Sequence, residues 1–339
     1  MRKVLVVIMC LMVISVAVFA GGDQEKTDSV ITIKAQGTGP LGYPAFDAMY
    51  VGFEEKVEEA TGGRVMVDFY PLQSLAPDRE FLELMEMGSA DVYMGSSLTL
   101  GLLDPRWNVT YLPFIFEDRA EMYRFMEGEV GQILSDSLLE EYGIRVLAYG
   151  ESGNRSFSNN ERPLRVPSDA AGLKIRSPET KPLEDWMKTL GIDPVVLSFP
   201  EMIPALQQGV IDGQDIELLS GRILGLQKLQ KYWNNVTQLW VPIPLSISEK
   251  TWQKLPDDLK AIVKQAAVES AMDQRAMINE ESKQLAQWAA DEGIEYVEVT
   301  PEEWKLWADS AKASYKDQVD LIGEDMMDKA FNFLGKSWR

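Results

Sequence analysis

Histidine is absent from the chain, and cysteine occurs once, at Cys10. The first absence removes the side chain that titrates closest to neutral pH and the commonest metal ligand. The second leaves no disulfide and no thiolate metal site beyond the N-terminal apolar run that contains Cys10. Carboxylate, lysine, tyrosine and serine chemistry remain, and no motif gathers those residues, so no metal site, cofactor site or catalytic group is expected. Positive charge is scarce as well: 33 Lys and Arg stand against 53 Asp and Glu, a formal net charge of −20. That balance argues against nucleic acid as a partner, since phosphate binding needs clustered cations. It argues equally against docking on anionic lipid. Its plainest meaning is solubility. No internal repeat and no low-complexity segment interrupts the chain.

What is present suits two ordinary domains: 339 residues, 45% hydrophobic, with a mean hydropathy of −0.15. Arg2 and Lys3 precede an apolar run over residues 4–18, broken only by Ser15. Val18-Phe19-Ala20 then has the small-residue form of a cleavage site. Residues 1–20 therefore read as a secretory signal peptide, and the run is short for a membrane span. Met9 stands where a lipoprotein site needs a small residue, so lipid attachment at Cys10 is a poor reading. Removing residues 1–20 deletes two cations and no acid, which leaves the exported chain more acidic still. Residues 21–29 read as a flexible leader.

Residues 172–214 carry the clearest pattern. A β-prone run, Leu173-Lys174-Ile175-Arg176, ends at Ser177-Pro178. A helical pattern follows, with Leu183, Trp186, Met187 and Leu190 on one face and Gly191 as its stop. A second extended run, Val195-Val196-Leu197, ends at Ser198-Phe199-Pro200. A helix over residues 201–208 stops at Gly209, and a third run leads into Asp212-Gly213-Gln214. This strand–helix–strand–helix–strand order predicts an α/β sheet covered by helices. Ligands in such sheets bind beyond the carboxyl ends of the strands. Arg176, Ser198, Phe199 and Gln214 sit at those ends.

Upstream, a strand over residues 30–35 leads into Gly37-Thr38-Gly39-Pro40-Leu41-Gly42, a match to G-x-G-x-x-G. Pro40 and Pro44 push the next helix to about Tyr43, too late for its N-terminus to meet a pyrophosphate, and Asp68 lies too far on to bind a ribose. The dinucleotide reading is therefore set aside for a ligand-facing or structural loop. Helices are expected over residues 46–60, 77–88, 117–142, 218–232 and 256–292, the last as one long or kinked brace. Strands are expected over residues 65–70, 90–94, 144–149 and 294–299, with a long extended crossing over 238–246. Thr300-Pro301-Glu302-Glu303 reads as the start of a terminal helix. Tyr111-Leu112-Pro113-Phe114 suits either a cleft edge or the core.

Four pieces, in order and at the right spacing, carry a resemblance: Gly172-Leu173-Lys174-Ile175-Arg176, Ala205-Leu206-Gln207-Gln208-Gly209, Asp212-Gly213-Gln214, and the Leu229-Gln230-Lys231-Tyr232-Trp233 stretch. The chain resembles the solute-binding proteins of TRAP (tripartite ATP-independent periplasmic) transporters, the DctP-like family, from about Ile31 to the last long helices. The resemblance implies a two-lobed, hinged, type II periplasmic-binding-protein fold with mixed sheets and a long bracing helix. Lobe I is expected over residues 30–152 plus about 242–281, and lobe II over 153–241 plus about 282–339. It implies a periplasmic, monomeric protein that binds a small organic acid between its lobes and delivers it to transporter membrane subunits, with no reaction and no membrane insertion of its own after signal removal.

The family's arginine at the place of Arg176 clamps a ligand carboxylate, for which a planar guanidinium fork is well shaped. From the residues alone, pairing of Arg176 with Glu179 or Asp185 on the surface stays open. Arg155 matches a second ligand-holding arginine, and Phe199 an aromatic wall. Gln36, Ser96 and Gln214 complete the candidate contacts. Ile216 departs from the family, which often carries an asparagine there that helps bind the carboxylate. Isoleucine donates no hydrogen bond, and this points to a monocarboxylate with an apolar or sugar-like body rather than a small dicarboxylate. Two other classes stay open: a ligand-sensing partner of a receptor, and an exported hydrolase with two converging acids.

Overall fold

The computed structural model describes residues 30–339. The segments expected as signal peptide and leader, with Cys10, lie outside the described residues. Nine strands form one mixed sheet: β1 (Ile31–Gly37), β2 (Val65–Tyr70), β3 (Val92–Met94), β4 (Ile144–Asn159), β5 (Lys174–Ser177), β6 (Asp193–Val196), β7 (Gly213–Glu217), β8 (Tyr232–Ser248) and β9 (Glu295–Glu298). Their order is β2-β1-β3-β8-β4-β7-β5-β6, with β9 pairing β8. No described helix is long and apolar enough to cross a membrane.

The central pair sets the architecture. β4 and β8 run 16 and 17 residues and pair antiparallel from Ile144↔Ser248 to Asn159↔Tyr232. One half of this ribbon carries β1, β2 and β3, and the other carries β5, β6 and β7. The register slips between Val146 and Ala148, between Glu151 and Gly153, and between Arg155 and Phe157. Pro242 and Pro244 of β8 face this irregular stretch, where a missing N–H is tolerated better than in an unbroken ladder. The chain thus crosses between the halves at the place where its sheet is least regular.

Helices cover the sheet as the strand–helix alternation predicts. Helix Pro44–Thr61 buries Met49, Tyr50, Phe53 and Val57 against the first half, and the long helix Asp257–Ser282 packs along it and along β4. In the second half, Trp186 of helix Lys181–Thr189 stacks on Phe157 of β4 and meets Phe114 and Trp307 edge-on. Helix Pro301–Tyr315 opens with a capping box between Thr300 and Glu303. Its Trp307 joins that aromatic group. The last helix, Glu324–Leu334, returns to the first half, where Phe333 packs on Phe125.

Three helices differ from expectation. The run 218–232 is α-helical only over Leu218–Ile223, with a single 3-10 turn at Leu226–Lys228. Gly225 then takes a left-handed φ of 73°, and Tyr232 and Trp233 are drawn into β8, where they pair with β4 and β9. The run 256–292 divides into Asp257–Ser282 and Leu285–Asp291. The run 117–142 divides at Gly128 into Arg119–Glu127 and Glu129–Tyr142. In the first run, pairing with β4 and β9 overrides the local periodicity; the other two runs break at short turns between helices.

Gly213 shows why glycine belongs in the Asp-Gly-Gln motif. It pairs with Asn159 of β4 and Ile175 of β5, and a Cβ there would lie 2.0 Å from the Ser158 carbonyl oxygen. Gly213→Ala is expected to pry β7 from β4 and to destabilise the protein by about 1–3 kcal/mol. Urea denaturation followed by tryptophan fluorescence measures this, and an unchanged midpoint would refute the packing account.

Candidate functional site

The register places the ends of the parallel strands. β3 pairs Val92 with Ile247 and Met94 with Leu245, so its carboxyl end points toward the middle of β8. β7 pairs Gly213 with Asn159 and Glu217 with Arg155, so its carboxyl end points toward the middle of β4. β1 runs parallel to β3, and β5 parallel to β7. Both sets of strand ends therefore converge on the irregular middle of the ribbon. Tyr43, at the start of helix Pro44–Thr61, spans the halves there by donating from its hydroxyl to the Ile223 carbonyl at 2.9 Å.

Arg176 ends β5 in this region. It is only 3% exposed, and its one hydrogen bond among the described residues runs from Nε to the Leu197 carbonyl at 3.0 Å. Neither Glu179 nor Asp185 pairs with it: Asp185 is taken by Lys181 and Lys188. Burial, and then the charge of Arg155, lower its pKa to about 10. A guanidinium held this way is a cation without an anion. Burying one without a partner is costly.

Arg155 is the opposite case. Two carboxylates on alternate positions of β7 share its face of the ladder. Asp215 meets it at 2.9 Å and Glu217 at 3.4 Å, and a second donor runs to the Asp215 backbone carbonyl. Burial alone would weaken its hold on the proton, but Asp215 and Glu217 more than reverse this. Asp215 also accepts from Gln238 at 2.5 Å. Glu217 accepts from Ser152 at 2.6 Å and Ser220 at 3.2 Å. Tyr111, from the first half, is close enough to feel these charges; burial first, with Arg155 opposing, brings its pKa to about 12.

The first half contributes a polar wall. Ser96 caps helix Ser97–Leu103 through the Leu98 N–H and hydrogen-bonds the Tyr111 hydroxyl at 2.8 Å. Tyr93 donates to Thr99 at 3.0 Å. Thr99 and Gln73 donate to Asp78 at 3.3 and 2.8 Å. Burial raises the Asp78 pKa to about 6, although these donors oppose the shift.

The glycine-rich loop serves packing. A Cβ on Gly37 would lie 2.8 Å from the Tyr50 and Phe69 rings, and one on Gly39 2.7 Å from Phe46. The Gly39 N–H is taken by the Tyr50 hydroxyl. Gln36 is committed to the neighbouring loop, bonding Leu75 and Ala76 with both ends of its amide. Gln214 donates to Ser158 at 2.7 Å, and its Oε1 accepts from no described residue. Ile216 is buried among Met202, Leu218 and Trp233 in the second-half core, and half-buried Phe199 packs at that core's edge. Arg176, Arg155, Ser96 and Ile216 thus come from separate segments to one region, while Gln36 acts within its own wall. Sequence reasoning missed Asp215 and Glu217 as the partners of Arg155. Their alternation along β7 was the available signal, but the arginine they serve lies about sixty residues away.

A family model described as bacterial extracellular solute-binding protein, family 7, matches residues 37–320. The C4-dicarboxylate-binding periplasmic protein DctP of Rhodobacter capsulatus is 31% identical over 275 residues, 80% of this chain and 82% of that protein. Two TRAP periplasmic solute-binding proteins of known structure are similar throughout. That of Sulfitobacter sp. NAS-14.1, with bound β-D-galacturonate, has a TM-score of 0.84 at 27% identity and covers 90% of this chain and 99% of its own. That of Sulfurospirillum deleyianum DSM 6946, with bound succinate, has a TM-score of 0.81 at 32% identity and covers 89% of this chain and 98% of its own.

Two stability tests follow from the geometry. Arg176→Met removes a buried, unpaired charge and is expected to stabilise the ligand-free protein by about 1–3 kcal/mol; a fall in its melting temperature would refute the account. Asp78 has a folded pKa above its unfolded value, so its ionisation opposes folding. That penalty is absent below about pH 3.8 and complete above about pH 6. Asp78→Asn should therefore gain stability over the natural protein at pH 7, on the order of 3 kcal/mol at most, and lose the advantage as pH falls through 6 toward 4. Paired urea titrations at pH 7 and pH 4 check the sign.

Proposed function

The chain belongs to the bacterial extracellular solute-binding proteins, family 7, and on that footing we propose that it is the ligand-capturing subunit of a TRAP transporter. It works in the periplasm, holds a small organic acid between two lobes and presents the closed form to the membrane subunits for ion-coupled import. The observation that carries this reading is Arg176: a buried guanidinium, with no carboxylate among the described residues within ion-pair distance, at the convergence of the strand ends. An arriving carboxylate supplies the missing anion through paired N–H bonds, each worth about 1.5–3 kcal/mol.

The lobe boundary follows the slipped middle of β4 and β8. Residues 30–152 with about 242–281 make one lobe, and 153–241 with the chain from about 282 make the other. The helix at 324–334 leans back across the first. Register slips in the two crossing strands suit a hinge, because they are the points where bending breaks the fewest ladder bonds. Tyr43 reaching Ile223 is a contact that closure would make.

Within the cleft, Arg176 grips the carboxylate. Ser96 and Tyr111 offer hydroxyls from the facing lobe. Half-buried Phe199 offers the second-lobe wall an apolar face, and Ile216 is packed in the core behind it, where a relative's amide would have offered a donor. Arg155 shapes the local field, and Gln36 and Gln214 hold the walls in place. The relatives bind acids of both kinds, the Sulfitobacter protein a sugar acid and the Sulfurospirillum protein succinate. The isoleucine at 216 favours a monocarboxylate with an apolar or sugar-like body. Asp215 and Glu217 do not suit a hydrolase, since both are engaged by the Arg155 guanidinium rather than left open to a substrate.

A thermal-shift screen of organic acids is expected to find a stabilising monocarboxylate, because binding raises stability by RT ln(1 + [L]/Kd). Stabilisation by succinate-like diacids alone would overturn the ligand class. Calorimetry with the acid so found should show Arg176→Ala weakening binding about a hundredfold or more, the loss of two charge-assisted bonds. Unchanged affinity would remove Arg176 from the site.

A further inference from the structure

We propose that Glu217 is the specificity-determining residue that restricts this cleft to a single carboxylate, acting as a positioning and neutralising group on Arg155. The inference deepens the acid-binding reading above and rests on it. Three observations carry it. Glu217 is a second carboxylate on a guanidinium that Asp215 already satisfies, at 3.4 and 2.9 Å respectively. It is buried and fully occupied, with Ser152 and Ser220 donating to its two oxygens. The neighbouring Arg176 has no carboxylate among the described residues within ion-pair distance.

Before any ligand arrives, Arg155 is already met by two carboxylates, and Arg176 feels Asp215, Glu217 and Glu201 only at a distance. One incoming carboxylate completes Arg176. A second carboxylate on the same ligand would find Arg155 blocked and would face two buried anions in a region where distant solvent screens poorly. Without Glu217, Arg155 would keep only Asp215, and its outer N–H groups would be open to a second acid group. Ser152 lies at the slipped stretch of β4, so the Glu217 bond also ties this selection to the crossing segment. The side chain does not touch ligand; it acts through Arg155.

The test uses ligands matched in all but one terminal group: D-gluconate with D-glucarate, and butyrate with succinate. Dissociation constants are measured by calorimetry at fixed salt and pH 7.5 for the natural protein, Glu217→Gln and Glu217→Asp. The natural protein is expected to prefer the monoacid of the pair it binds by about tenfold or more. Glu217→Gln should shift the diacid-to-monoacid affinity ratio about tenfold toward the diacid, and Glu217→Asp, which keeps the charge, should stay within about threefold of the natural ratio. A purely structural role would weaken both ligands together and leave the ratio fixed, and that result overturns the inference while the acid-binding function stands. A natural protein that prefers the diacid overturns it in the same way. Should Glu217→Gln not fold, the natural protein's own preference decides. Binding of none of the four acids overturns the acid-binding reading of the cleft, and this inference with it.

Discussion

The antiparallel pairing of β4 with β8 is the constraint on which the molecule turns. Each strand is long enough to serve both halves of the sheet, so neither half closes its own hydrogen-bond ladder without the other. Because the short parallel strands attach to opposite ends of this ribbon and all run toward its middle, their carboxyl ends have one place to meet. The cleft is a consequence of strand direction before any side chain is considered. The ribbon also slips register in that same middle stretch. The stretch between the two halves is therefore the one with the least regular ladder.

Electrostatics follow from where the strands end. A chain this acidic is a poor general receptor for anions, and its field at a distance is repulsive. The cleft escapes that field because screening confines remote charges to roughly a Debye length, about 8–10 Å, whereas burial strengthens near ones. Two guanidiniums lie close together and are treated differently. Arg155 sits in the ladder opposite β7, whose alternation turns Asp215 and Glu217 onto it. Arg176 sits at a strand terminus, where the next group it meets is the Leu197 carbonyl. The same residue type is tied to two carboxylates in one position and left without an ion pair among the described residues in the other. The difference comes from register.

Stability and function pull against each other here in a definite way. Arg176, unpaired and buried, and Asp78, carried to a pKa of about 6 by its surroundings, are both arrangements that a protein built for stability alone would not keep. The aromatic group around Trp186 and the two hydrophobic clusters offset that strain. Packing of Ile216 into the second cluster shows how closely the two roles adjoin: one residue on either side of it in β7, Asp215 and Glu217 meet Arg155, and Ile216 itself is part of the core.

The sequence by itself determined the class of element, the order of strands and helices, and the motifs at the strand ends, because hydrophobic period, proline and glycine act locally. Asp-Gly-Gln at the head of β7, the run ending in Arg176 and the helix start at Thr300 were all readable in the chain. Only the tertiary structure decided that residues 218–232 leave the helix for β8, since the pairing that draws Tyr232 and Trp233 away comes from β4 and β9. It alone decided which arginine is free. That outcome depends on Asp215 and Glu217 landing opposite Arg155 across about sixty residues of chain, a matter of sheet register that no local signal encodes. Ladder register is set by the sum of many distant contacts, and so the chemistry of the cleft became legible only once the strands were side by side.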